Sequence, residues 1–458
     1  MSRAKKKQSP GTRKKNRKVL EQINHHAAGA DMASEEVVVC VGEGVDEEPI
    51  RTFGTTTAQL NKAGEWMLSC GIDTVAIEAT GVYWVPAYEI WQEQGLKPVL
   101  VESNSIHSLN GKKKSDFIDA HWLQLLHTFG LLRPCQRAER SMIELRGYMR
   151  RRREVTEASS ACIQHMHAAL TLMNVRLDQA VTDITGLTGM RIIREILKGE
   201  RDPLVLAQMR DERCLKNEQE IAEALTGHYR AEQVFVLDQA VQAWDFHQQQ
   251  LRQCDQQIEK VLQTLPSKAD RKNLPKARRS AGKPRKNELR INDGRTLLYE
   301  RLGVDLTLID GLQVITILTV ISECGIDLSR FPTYKHFCSW LGLCPGTRRS
   351  GKRVLSSRSR RTTNRAATAL RLAAQSLHRS QTALGAFYRR IKARLGPEKA
   401  TTATANKLAK LIYLSLTTGR VYIDPGPDYF DSANQLNALK QLRRRASKLG
   451  YQLTPIAA

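Results

Sequence analysis

Long apolar runs are missing from this chain: the longest, Leu312 to Ile321, covers about half of the ~20 residues a membrane-spanning helix needs and reads as a buried helix. Paired cysteines are missing too. The nine cysteines are scattered and never spaced C-x-x-C, which argues against a disulfide framework and suits a reducing cytoplasm. His336, Cys338 and Cys344 lie close together, but no fourth ligand follows at finger-like spacing, so core packing is expected there rather than zinc. The basic stretch Arg3 to Lys18 has no apolar core after it, so neither a signal peptide nor an anchor is expected. Acid is in short supply: 71 Lys plus Arg stand against 47 Asp plus Glu, a net charge of +24. Such a field attracts polyanions, and without a spanning segment the expected partner is nucleic acid, not a membrane.

At 458 residues the chain exceeds one hydrophobic core and should divide into two to four units. Residues 1–24 read as a basic disordered arm lying along phosphates, or as a plain solvated tail. Residues 25–132 alternate strand and helix. Val37 to Val41, Pro49 to Thr57, Thr74 to Glu78 and Pro98 to Glu102 are expected strands, Val85 to Gln94 a helix ended by Gly95, and Asp116 to Leu132 a helix with Phe117, Ile118, Trp122, Leu125 and Leu126 at helical spacing. Early antiparallel strands followed by strand-helix-strand-helix predict an α/β domain of the RNase H-like kind.

Residues 137–266 read as helical. One long helix runs from Met142 to Met173. In a second, Leu237, Trp244, Leu251, Ile258 and Leu265 recur every seven residues, the seam of a coiled coil that pairs either between chains or within this one. Residues 267–295 read as a basic linker. A mainly α unit is expected over 296–420, with helices at Asn364 to His378 and Thr401 to Thr417, and a basic helical tail over 421–458, where Ser432 to Leu449 is helical.

Against this basic background, acidic side chains need a reason. Asp116 and Asp119, three apart on one helix face, bring like charges together unless a cation lies between them. Strand residues Glu78 and Asp31 could complete a site for two Mg²⁺ ions over a phosphodiester. By itself an i, i+3 acid pair is equally a solvated helix face. The second informative stretch is Arg348-Arg349-Ser350-Gly351-Lys352-Arg353. A serine beside glycine can occupy an exposed turn, with Arg348, Arg349, Lys352 and Arg353 contacting phosphate. Ser350 could act as a nucleophile once activated, make a plain phosphate contact, or only fill a loop; Ser356, Ser357 and Ser359 compete with it.

Glu78-Ala79-Thr80-Gly81-Val82-Tyr83, Gly95-Leu96-Lys97-Pro98-Val99-Leu100-Val101-Glu102 and Lys114-Ser115-Asp116-Phe117-Ile118-Asp119-Ala120 together resemble the N-terminal half of transposases of the insertion-sequence 110 family. Phe331-Pro332-Thr333, Gly342-Leu343-Cys344-Pro345 and Ser350-Gly351-Lys352 resemble that family's C-terminal domain. The resemblance implies a RuvC-like domain whose Asp-Glu-Asp-Asp set maps onto Asp31, Glu78, Asp116 and Asp119, binding Mg²⁺, with Ser350 attacking DNA to give a phosphoserine link. It further implies donor and target DNA as substrates, a structured bridge RNA as guide, and a homo-oligomer, dimer or tetramer, in which the acids of one subunit serve the serine of another. The expected setting is the bacterial cytoplasm, at the nucleoid. A RuvC-like nuclease such as a junction resolvase, and a non-catalytic nucleic-acid-binding scaffold, are the alternatives.

Overall fold

The computed structural model describes residues 21–79, 81–101, 116–135, 137–277, 287–351, 353–452 and 454, except the side chains of 116, 117 and 430–438. The expected N-terminal arm therefore falls mostly outside the described residues. The chain forms two units, Met1–Arg137 and Ala138–Ala458.

The first unit is built on β1 (Ala27–Met32), β2 (Glu36–Cys40), β3 (Ile50–Gly54), α1 (Thr57–Ser69), β4 (Thr74–Glu78), α2 (Trp84–Glu93), β5 (Lys97–Val101), α3 (Asp116–Thr128) and β6 (Pro134–Cys135). Its six-stranded sheet has the order β3-β2-β1-β4-β5-β6. β1, β2 and β3 form an antiparallel meander, β4 is parallel to β1, β5 is parallel to β4, and β6 returns antiparallel. The β-branched run of β2 suits a sheet covered on both faces. Val37 and Val39 join Ala28, Ala30, Val75 and Ile77 under Leu60, Met67 and Trp91 of α1 and α2, whereas Val38 and Cys40 pack against Ala120 of α3 on the other face. This mixed sheet between helices is consistent with the expected RNase H-like α/β architecture.

Among its described residues the second unit is helical apart from one hairpin. It comprises α4 (Arg140–Leu172), the short α5 (Leu177–Ala180), α6 (Leu187–Lys198), α7 (Pro203–Ala207) and α8 (Glu218–Leu225), then α9 (Ala231–Thr264), α10 (Gly294–Leu302), α11 (Val314–Cys324) and α12 (Tyr334–Trp340). The hairpin β7 (Arg348–Ser350) and β8 (Arg353–Ser356) follows, then α13 (Arg365–Ser376), α14 (Ala383–Leu395), α15 (Pro397–Thr418) and α16 (Tyr429–Lys448). The apolar run Leu312 to Ile321 lies largely in α11, where Ile317, Leu318, Val320 and Ile321 are buried. Among the described residues no helix is long and apolar enough to cross a membrane.

α4 and α9 run antiparallel along each other and carry a core at each end. Met142, Leu145 and Met149 meet Ile258, Val261, Leu262 and Leu265 in the core shared with α10, α11, α13 and α15. At the other end Cys162, Met166, Ala169 and Met173 meet Leu237, Ala240 and Val241, covered by α6 and α8. The heptad residues Leu237, Ile258 and Leu265 of α9 thus pack within their own chain, as an amphipathic helix does, while Trp244 and Leu251 are only half-buried at its middle, so the coiled coil expected from sequence is not confirmed. Between the two cores Arg152 and Asp255 form a buried ion pair of 2.5 Å. Asp255 also accepts from the Arg290 backbone N–H at 2.9 Å, and Arg152 donates to the Asn287 and Glu288 carbonyls, so the pair's hydrogen-bonding capacity is largely used.

The region expected as a linker is anchored on both flanks. Lys268 N–H donates to the Glu300 carbonyl at 2.7 Å, Tyr299 Oη to the Asn273 carbonyl at 3.0 Å, and Arg295 to the Pro275 carbonyl at 2.7 Å. Its centre, 278–286, lies outside the described residues.

Candidate active site

The register of β1 against β4 places the first two acids. Ala27 to Ala30 pair in parallel with Thr74 to Ile77, and the next residue on each strand is Asp31 and Glu78. Paired positions on adjacent parallel strands share a face and lie about 4.8 Å apart. Both acids are half-buried at the carboxyl ends of their strands, where open α/β sheets place their ligand sites. On its other edge β1 pairs Gly29 with Cys40 and Asp31 with Val38. Since Val38 and Cys40 pack on Ala120, the acids belong to the face that α3 covers.

Contacts along α3 fix its direction. Its last turn lies beside the start of β1: Asn24 donates to the His127 carbonyl at 2.6 Å, and Ile23 N–H to the Thr128 carbonyl at 2.8 Å. Gln124 Nε2 donates to the Ala27 carbonyl at 3.3 Å. Ala120 comes next, over Gly29. A Cβ on Gly29 would fall 2.3 Å from Gln124 N and 2.5 Å from the Ala120 carbonyl oxygen, so only glycine admits the helix backbone this close. α3 therefore runs antiparallel to β1. From Ala120 back to Asp116 the helix advances about 6 Å, and from Gly29 on to Asp31 the strand advances about 7 Å. The first turn of α3, which holds the half-buried Asp119, is thereby carried to the level of Asp31 and Glu78. Asp116 opens the helix, and its side chain lies outside the described residues. At the opposite end the His127 imidazole, 2.9 Å from Thr74 Oγ1, is pushed down in pKa by burial, against the opposing pull of Asp73, and stays neutral near pH 7.

Among the described residues no group of three or more His, Cys, Asp or Glu side chains is close enough to hold a metal ion, a search that omits Asp116. Asp31, Glu78 and Asp119 are all described and do not form such a group by themselves; as carboxylates they are hard oxygen donors of the chemistry that suits Mg²⁺. In donor chemistry alone, the four carboxylates fit a divalent cation.

In the second unit the chain leaves the core through buried Leu341, Gly342 and Leu343. Asn406 of α15 holds this exit, donating to the Leu343 carbonyl at 3.2 Å and to Cys344 Sγ at 3.5 Å. A bridge between Pro345 and Ser359 closes the root of the hairpin. Ser350 pairs with Arg353 as the last residue before the turn, and Gly351 takes φ +54°, the left-handed conformation that a two-residue hairpin turn demands. Ser350, Arg348, Arg349 and Arg353 are all exposed; Lys352 lies outside the described residues. Of the competing serines, Ser356 and Ser359 are half-buried and Ser357 is exposed. The nearby thiols belong to the packing. Burial pushes Cys338 up to about 12 and raises Cys344, and Cys338 Sγ lies 3.6 Å from the Asn406 carbonyl.

A family model for the DEDD transposase domain of the IS110 type matches residues 28–175, and a second, the Transposase IS116/IS110/IS902 family, matches residues 305–389. The chain belongs to the IS110 family of transposases. As an IS110-family transposase it is an enzyme that acts on DNA in transposition and recombination, and its DEDD domain implies dependence on a divalent metal. The first match contains Asp31, Glu78, Asp116 and Asp119, and the second contains Ser350. No curated protein matches the chain. Two positions in this transposase were not singled out from sequence: Gly29, whose setting among alanines in a strand is itself a signal of close backbone approach, and Asn406, an ordinary helix residue with no local signal.

Proposed function

We propose that this transposase cuts and rejoins DNA through the Ser350 hydroxyl, with Asp31, Glu78, Asp116 and Asp119 holding Mg²⁺. In the cutting step Ser350 Oγ attacks the phosphorus of a phosphodiester, the Oγ–P bond forms, and the P–O bond to the departing sugar oxygen breaks. The hydroxyl proton leaves Oγ and the departing oxygen gains one. Rejoining reverses this: a sugar hydroxyl attacks the serine ester and releases Ser350, so the energy of the original diester is conserved and no nucleotide cofactor is needed. Bound at the acids, Mg²⁺ would supply Lewis-acid stabilisation of charge on the phosphoryl oxygens. The guanidinium groups of Arg348, Arg349 and Arg353, with Lys352, would position the phosphate and offset its developing charge.

The observation that carries this reading is the exposure of Ser350 at the tip of an arginine-flanked hairpin, in a chain that also sets Asp31 and Glu78 side by side at the carboxyl ends of two central strands. A nuclease working with water would need the acids alone. The serine of one subunit would serve the acids of another in a homo-oligomer, and a structured bridge RNA would choose donor and target DNA by base pairing, at the nucleoid of a bacterial cytoplasm. On a nicked duplex the enzyme should form an adduct that survives denaturing electrophoresis, and Ser350→Ala and Asp119→Asn should each abolish it. Cleavage that persists in Ser350→Ala would instead make the enzyme a hydrolytic nuclease. Purified protein should also carry one defined transcript; sequencing that returned random fragments would remove the RNA guide.

A further inference from the structure

Three helices of the second unit bring a basic strip to the foot of the Ser350 hairpin. On α15, Lys407 and Lys410 are half-buried and about one turn apart. The Lys407 ammonium lies 5.5 Å from the ring centre of Phe387 on α14, and the Arg390 guanidinium lies 5.9 Å from the same ring. Lys410 lies 4.5 Å from the ring of Tyr334, the first residue of α12. Each cation is thus held by an aromatic face and a packed stem rather than left to sweep solvent. Beside Lys407 is Asn406, the residue that ties Leu343 and Cys344 at the hairpin root.

The three cations lie close enough to act on one another. Burial first, then Lys410 and Arg390, push the Lys407 ammonium below the usual lysine range. The strip is also within reach of the chemistry. Cys344 and Ser350 are six positions apart in the chain, a span of at most about 20 Å, which along one strand of duplex DNA is about six phosphates.

We infer that Lys407, Lys410 and Arg390 form a phosphate-binding strip that holds the DNA backbone next to the phosphate attacked by Ser350. The inference rests on the function proposed above. The ligand is the sugar-phosphate backbone of the cut DNA, read without regard to sequence; RNA is the alternative the test must exclude.

The test is equilibrium binding of a mixed-sequence DNA duplex, and separately of a structured RNA, to full-length Ser350→Ala protein across a salt series. Adding Lys407→Gln and Lys410→Gln together should reduce the slope of log affinity against log salt by about 2 for DNA. Lys407→Arg with Lys410→Arg should restore it. The unliganded melting temperature of the Gln variant should stay within a few degrees of the parent's, whereas a purely structural role would lower it and leave the slope unchanged. If the paired change folds poorly, Lys410→Gln alone should lower the slope by about 1. An unchanged DNA slope, or a loss confined to RNA, overturns the inference. Because binding is read in protein lacking the serine, a Ser350 that forms no adduct would refute the proposed function and leave this result standing.

Discussion

Gly29 shows how one residue can govern the placement of several others. Asp31, Glu78 and Asp119 can be picked out from sequence as acids out of place in a basic chain, yet what brings them to one face is the absence of a side chain two residues before Asp31. With Ala120 and Gln124 backbone atoms within 2.5 Å of any Cβ at position 29, Gly29→Ala must push α3 off β1. Overpacking of this kind costs about 1–3 kcal/mol, which a domain of this size should survive. The acids, however, depend on the level at which α3 crosses the sheet. Expected is a variant that stays folded by circular dichroism, with melting lowered by a few degrees, and that loses DNA cleavage about 100-fold or more, as displacements near 1 Å do in catalytic sites. Near-normal cleavage by a folded Gly29→Ala protein would detach the α3 acids from the chemistry. Ser350 was legible for a different reason: Gly beside Ser among arginines announces an exposed turn, and the hairpin register leaves it at the tip.

At the scale of elements, strongly patterned segments were readable and cooperative ones were not. Thr74 to Glu78 is an uninterrupted apolar run ended by an acid, and it is β4 residue for residue. Asn364 was read as the start of a helix, and its side chain caps α13 by accepting from the Ala367 N–H. By contrast, α1 hides its stripe of Leu60, Ala63, Trp66 and Met67 behind a glycine, and α5, α7 and α8 are too short to show a full helical period and bury their side chains against one another and the long helices. The seam of α9 has the right spacing for a coiled coil, but spacing does not name the partner, and here its residues pack within their own chain. The same limit explains the domain boundaries. Separate regions at 137–266 and 296–420 follow from the basic composition between them, whereas the end of α9 and the start of α4 share one core with α10, α11, α13 and α15. Ile258→Ala, in that shared core, should cost about 2–5 kcal/mol and lower the melting of the central and C-terminal helices together. Two separate transitions within 138–458 would contradict a common core.

At the scale of the whole molecule, charge and chemistry fall into place around nucleic acid. A net +24 draws the phosphate backbone in, and in the proposed mechanism the carboxylates of β1, β4 and α3 and the hydroxyl of Ser350, which belong to different units of the chain, would divide the work of breaking a diester. Neither part suffices: acids without the serine describe a nuclease, and a basic serine hairpin without the acids describes a DNA-binding surface. Family membership establishes that the enzyme acts in transposition, and the serine is what would make it conserve the diester energy it breaks. The most direct measurement is to trap the adduct on a nicked duplex, digest both partners, and locate the remaining nucleotide on the protein by mass spectrometry. A nucleotide attached through phosphate to Ser350, absent when Asp119 is changed to Asn, is the expected result; strand cleavage with no nucleotide on any serine, or with the nucleotide on Ser356, Ser357 or Ser359, would contradict it.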